Sequence, residues 1–162
     1  MERVFHTIPP IVSAESEILI LGTMPSPKSR ESAFYYAHPQ NRFWPALAGV
    51  YGVPLPADAR QKTELILSHR LALWDVLFRC DIAGASDASI VNPVPNDIPS
   101  LLAGTRIRRV LCTGSTAARL YRRLIEPETG LACETLPSPS AANARMTLEA
   151  LTAAYRAALI GA

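Results

Sequence analysis

The sequence predicts an α/β fold, a single-domain three-layer sandwich around a central, mainly parallel four-stranded sheet. Three observations predict it. Short, unbroken apolar runs recur along the chain, segments with helical spacing alternate with them, and prolines gather just past the runs. Unbroken hydrophobicity marks a strand buried on both faces of a parallel sheet. Strands alternating with helices make βαβ units whose sheet is covered on both sides.

The first run is EILILG at 17–22, ending in a glycine. A segment with helical patterning near 57–69 leads into a second run at 71–74. The third covers 107–112, where Val110 and Leu111 are flanked by arginines, and it meets Gly114 and Ser115. Ser115 is suited to N-cap the next helix. In that helix Ala117, Leu120, Tyr121, Leu124 and Ile125 recur every three or four residues and form one apolar face. A fourth strand is expected at 132–136. The closing helix presents Leu148, Leu151, Tyr155, Ala158 and Leu159, with Gly161 just past its end as a stop.

The bulk numbers exclude several classes. With 162 residues the chain fits one domain, 1–162, large enough to bury a core without a covalent staple. Hydrophobic residues make up 49% and charged residues 19%, an ordinary globular balance. No apolar run approaches the roughly 20 residues that cross a bilayer. No basic segment followed by an apolar stretch opens the chain, so a cytoplasmic, non-membrane protein is expected. Cys80, Cys112 and Cys133 are scattered and odd in number, and His6, His38 and His69 do not stand at ligand spacing beside them. Neither metal nor cofactor is expected. Net charge is only +2, but Arg106, Arg108, Arg109, Arg119, Arg122 and Arg123 fall in a stretch without acids. A solvated helix face and contact with phosphate are both open for that run.

In open parallel sheets ligands bind beyond the carboxyl ends of the strands. That rule directs attention to the loops 22–40, 75–98 and 136–143. The first carries GTMPSP, in which Gly22 allows close backbone approach and Pro25 stiffens the residues after it. Backbone N–H groups around Thr23, Met24 and Ser26 suit a base edge or a phosphate. Next comes FYYAHPQNRFWP at 34–45. Tyr35 and Tyr36 point to opposite sides of an extended segment, so only one of them faces a pocket, where it suits stacking on an extruded base. Asn41 precedes Phe43, Trp44, Leu47 and Val50, which have helical spacing. Two readings of it stay open: an N-cap, or an amide that orients water or the leaving base. Asp75, at a strand end, reads equally as a water-orienting group and as an exposed cap. The last loop, LPSPSAANA at 136–144, is slim and stiff, and a helix N-terminus behind it offers N–H groups to phosphate. It suits insertion into a DNA groove, and a tight turn capped by Ser140 equally.

An apolar strand ending G-x-x-P-S, an aromatic-A-H-P-x-N-x-F-W block and a late L-P-S-P-S loop, in that order, resemble the uracil-DNA glycosylase superfamily. GTMPS and YYAHPQNRFW most closely resemble its hypoxanthine-DNA glycosylase family, which excises deoxyinosine; the block is also similar to that of mismatch-specific uracil/thymine glycosylases. The resemblance implies an α/β sandwich that extrudes and excises a deaminated base from DNA, acting as a monomer. It implies a base pocket bordered by the loop of Gly22, Thr23, Met24, Pro25 and Ser26, with Tyr36 stacking on the base and Asn41 catalytic; His38 and, from its place at a strand end, Asp75 are expected in the same pocket. It assigns Ser138, Pro139, Ser140, Ala141, Ala142, Asn143 and Arg145 to the DNA-binding loop. Met24 stands where well-studied uracil enzymes carry a water-activating Asp or Asn, and Ser138 where they carry a His or Asn. Both departures argue against strong uracil activity. A uracil or broad-range deaminated-base glycosylase is the nearest alternative, and a non-catalytic nucleic-acid-binding module a second. A small-molecule hydrolase lacks the G-x-S-x-G elbow.

Overall fold

The computed structural model describes residues 1–161. In chain order the elements are β1 (Glu2–Phe5), β2 (Ile18–Gly22), α1 (Pro27–Ser32), α2 (Phe43–Tyr51), α3 (Ala59–Ser68), β3 (Leu71–Asp75), β4 (Leu77–Ala83), β5 (Ser86–Pro95), α4 (Ile98–Leu102), β6 (Arg109–Thr113), α5 (Ser115–Leu124), α6 (Glu126–Thr129), β7 (Cys133–Leu136) and α7 (Leu148–Leu159). The four expected strands form one sheet in the order β3-β2-β6-β7, with every neighbour parallel.

Alternation along β2 sorts the core into two halves. Leu19 and Leu21 face one side, where Ala117, Leu120 and Tyr121 of α5 pack with Val4, Leu77, Cys80 and Ile82. Ile20 faces the other, against Phe43, Trp44 and Leu47 of α2, Ile66 of α3 and Leu151 and Tyr155 of α7. All three of these β2 side chains are wholly buried, which is why the strand reads as continuous hydrophobicity.

The sandwich differs from the expectation in one layer. A second, antiparallel sheet of order β1-β4-β5 lies with α5 on the first side. Its long hairpin has register shifts between β4 and β5, and β5 shows no regular alternation of burial, so no period of two marks it in the sequence. At the head of α5 the cap is Gly114, at φ 101°, and Ser115 is the first helical residue; the expected Ser115 cap is corrected by one position. The final helix begins at Leu148 and is capped by Thr147, whose hydroxyl accepts from the Ala150 N–H. Its N-terminus is therefore not directly behind the 136–144 loop, and one of its free donors is already satisfied. Gly161, at φ 81°, follows the helix end as expected. All three cysteines are buried, and among the described residues no helix is long and apolar enough to cross a membrane.

Candidate active site

All four parallel strands end at one edge, which places Gly22, Asp75, Thr113 and Leu136 side by side along a cleft of about 990 Å³. The cleft is bounded by 22–26, by the aromatic loop with Tyr36, His38 and Asn41, and by 137–143. Thus Gly22, Thr23, Met24, Pro25, Ser26, Tyr36, His38, Asn41 and Asp75 converge, together with Ser138, Pro139, Ser140, Ala141, Ala142 and Asn143. Arg145 is exposed on the same loop but does not line the cleft. Nor do the six clustered arginines; Arg109 is held by both carboxylate oxygens of Glu134 at 2.8 Å.

Tyr36 forms a wall of the cleft. Its ring stacks on Phe43 at 4.1 Å between centroids and 15° between planes, and its hydroxyl lies 3.1 Å from Thr113 Oγ1. Burial of that hydroxyl end, more than any neighbouring charge, pushes the phenol well above its ordinary pKa, so it stays protonated. The residue is not extended, as expected from the sequence, but left-handed at φ 52°, a conformation costing an aromatic about 1–3 kcal/mol. The Ser29 hydroxyl accepts from the Ala37 N–H at 3.1 Å and helps hold that bend against α1. Tyr35 turns the other way into the core and donates to the Pro9 carbonyl at 2.8 Å.

Asn41 caps a helix and lines the cleft at the same time. Its Oδ1 accepts from the Phe43 N–H at 2.9 Å, so it caps the start of α2, although Arg42 is the formal cap residue. Its Nδ2 has no partner among the described residues, and the side chain lines the cleft. The turn before it is set by His38, whose carbonyl accepts from the Asn41 N–H and whose Nδ1 accepts from the Gln40 N–H.

The loop opposite is stiffened by its own hydroxyls and amide. Ser138 Oγ accepts from the Ser140 N–H, Ser140 Oγ from the Ala142 N–H, and Asn143 Nδ2 donates to the Ser138 carbonyl. Ser140 therefore caps a turn inside the loop rather than a helix. Arg42 ties this loop to the aromatic block, its guanidinium donating to the carbonyls of Ser140, Asn143 and Met146.

Asp75 is not an exposed cap; it is 4% exposed, and its Oδ2 lies 2.8 Å from His6 Nε2. A Cβ added at Gly22 would come within 2.4 Å of Asp75 Oδ1 and 3.0 Å of the Tyr36 hydroxyl, so only glycine fits between them. Sequence reasoning missed four residues here. His6 lies beyond the end of β1, far from every motif. Asn96 donates to the carbonyls of Asp75 and Leu77 and fixes the end of β3. Thr113 ends β6. Asp87, exposed near the start of β5, also lines the cleft. No spacing in the sequence links any of these to the cleft.

A covered parallel sheet with its cleft at the carboxyl edge and stiff loops around it defines the class: an α/β sandwich whose cleft lies where open parallel sheets place their ligands. The chain belongs to the uracil DNA glycosylase superfamily, whose family model matches residues 9–159. It is 34% identical over 142 residues to the hypoxanthine DNA glycosylase of Methanosarcina acetivorans, covering 86% of this chain and 88% of that protein. It is 30% identical over 139 residues to the hypoxanthine DNA glycosylase of Methanosarcina barkeri, covering 85% and 87%. A solution NMR structure from Methanosarcina acetivorans, of a protein provisionally described as a uracil DNA glycosylase, superposes with a TM-score of 0.78 at 28% identity, covering 94% of this chain and 96% of that one.

Proposed function

We propose that this chain hydrolyses the N-glycosidic bond of a deaminated base in DNA, with hypoxanthine as the principal substrate. The observation that carries the reading is the convergence of Asn41, Tyr36 and the 138–143 loop on one cleft, in a chain similar over most of its length to two hypoxanthine DNA glycosylases. A base inside a duplex is out of reach, so the nucleotide is extruded at a cost of a few kcal/mol, lowest for a poorly pairing lesion. The stiff 138–143 loop suits the space the nucleotide leaves, and the open face of the Tyr36 ring suits the base.

Bond cleavage leaves positive charge on the sugar and negative charge on the departing base. Asn41 Oδ1 is held by the Phe43 N–H, and its Nδ2, unpartnered among the described residues, is free to donate. The role proposed for it is donation to the leaving base, since a neutral amide is too weak a base to take a proton from water. Met24 is largely buried at the cleft and has no group that activates water, which favours a mechanism led by leaving-group stabilisation. The DNA-contact role of Arg145 rests on its exposure in the loop alone.

The test is alkaline cleavage of duplexes holding hypoxanthine, uracil or xanthine, with the wild type and Asn41→Ala side by side. Rapid cleavage at hypoxanthine, slower cleavage at uracil and loss in the variant are expected. Cleavage at uracil as fast as at hypoxanthine assigns a broad-range enzyme, and lesion binding without abasic product a non-catalytic module.

A further inference from the structure

The outer face of α5 is basic. Ser115, Arg119, Arg122 and Arg123 recur at helical spacing along it, and all four are exposed. The helix, STAARLYRRL, contains no acid. Among the described residues its three arginines form no ion pair, whereas Arg3, Arg60, Arg70, Arg108 and Arg109 each face a carboxylate. A face kept for solvation ordinarily mixes both signs at three- and four-residue spacing. This one is of a single sign, in a chain whose net charge is only +2.

The stripe begins at the cleft. Ser115 lines it, and so does Thr135 of β7, to whose Oγ1 the Arg122 guanidinium donates at 3.3 Å. Cα–Cβ bonds in a helix tilt toward its N-terminus, here the cleft end, and Arg122 follows that tilt in reaching Thr135. None of the three arginines lines the cleft itself. Cations just outside a cleft that takes one nucleotide stand where the strand continuing from that nucleotide carries its phosphates. A guanidinium meets phosphate with two parallel hydrogen bonds, and such contacts carry no base preference. We propose that Arg119 and Arg122, with Arg123 beside them, hold the sugar–phosphate backbone of duplex DNA flanking the extruded nucleotide. The inference rests on the DNA glycosylase reading above. It divides the work between two surfaces: α5 grips any duplex, and the cleft selects the lesion and breaks the bond.

The experiment is fluorescence anisotropy between about 50 and 200 mM salt, on undamaged duplex and on duplex with hypoxanthine on a 2′-fluoro sugar that resists cleavage. The double variant Arg119→Gln/Arg122→Gln should make the plot of log affinity against log salt shallower by about 2, roughly one for each arginine. Both duplexes should be weakened by the same factor. Its limiting single-turnover excision rate at saturating enzyme should stay within about twofold of wild type. Arg106→Gln/Arg108→Gln removes the same charge at the opposite edge of the sheet, where the backbone N–H groups of these residues donate to the Ser16 and Glu17 carbonyls, and should keep the wild-type slope. An unchanged slope in the first variant, an equal loss in the second, or weakening confined to the lesion duplex each overturns the proposal. Arg119→Lys/Arg122→Lys keeps both charges and should retain the slope; a loss there as great as with glutamine traces the effect to folding and overturns it too. Absence of abasic product from wild type with hypoxanthine is a different failure, which sinks the glycosylase reading alone, since the slope is read from binding without cleavage.

Discussion

Arg42 and Ser140 stand 98 positions apart in the chain, yet the Arg42 guanidinium donates to the Ser140 carbonyl at 2.9 Å. The same group reaches the Asn143 carbonyl at 3.0 Å, and the Arg42 N–H reaches the Pro139 carbonyl at 3.0 Å. One residue of the aromatic block thus fixes the loop across the cleft. Charged hydrogen bonds of this kind contribute about 1.5–3 kcal/mol. Arg42→Gln is expected to lower unfolding stability by about that amount, read from urea denaturation. It should also raise protease cleavage within 137–146. Unchanged stability and unchanged proteolysis would remove Arg42 from this role.

Asn41 caps with one atom and offers the other, so two substitutions separate its roles. Asn41→Asp keeps an acceptor for the Phe43 N–H and removes the amide donor. It should retain stability yet lose about 10²–10⁴ in single-turnover excision. Asn41→Ala should lose the rate and a further 0.5–2 kcal/mol or so of stability. Equal stability of the two variants counts against the cap, and a wild-type rate in Asn41→Asp against the donor.

Tyr36 is held by a ring stack and one hydroxyl contact. Tyr36→Phe should cost about 0.5–1.5 kcal/mol of stability and leave lesion capture nearly intact. Tyr36→Ala should weaken capture of the extruded base by about 1–3 kcal/mol, judged from other base–aromatic stacks. Binding to lesion-containing and undamaged duplex, compared by fluorescence anisotropy, decides this. Equal weakening of both assigns Tyr36 a packing role only.

Gly22→Ala places a Cβ 2.4 Å from Asp75 Oδ1. Asp75 and Tyr36 must then be displaced, at a cost of about 1–3 kcal/mol from overpacking. Thermal melting and the excision rate should both fall. A variant as stable and active as wild type would show that the wall is softer than its geometry implies.

Arg3 donates to Asp81 at 2.9 Å and clamps β1, the strand that leads into His6, onto β4. Hydrogen bonds from Arg3, then from Asn92, hold the Asp81 carboxyl down to about 2. Because the folded pKa is depressed, the clamp contributes above the ordinary carboxylate value of about 3.9 and is lost as pH falls through about 2. Carboxyl NMR shifts should give Asp81 a midpoint near 2 in the wild type and a higher one in Arg3→Gln. A midpoint near 4 in both would deny the clamp.

The parallel sheet was legible because a strand buried on both faces must be continuously apolar, as 18–21 and 110–112 are. The antiparallel sheet was not, because its edge strands are short or irregular and half exposed, as in β1 and β5. The cleft followed the same division. Gly22, Tyr36, Asn41 and the 138–143 segment stand in compact motifs next to strand ends, so their convergence could be anticipated. Their conformations could not: Tyr36 is left-handed because Phe43, Thr113 and Ser29 together hold it there, and those contacts come from three separate parts of the chain.

The sequence by itself determined the parallel sheet, the edge at which the cleft opens and the motifs that border it, since hydrophobic period and loop chemistry are local properties. Only the tertiary structure decided what stands at the cleft floor. His6 reaches Asp75 across 69 positions, Asn96 across 21, and Arg42 crosses the cleft to Ser140. Partners so distant are chosen by how sheets and loops pack, and no pattern within a single segment encodes that choice.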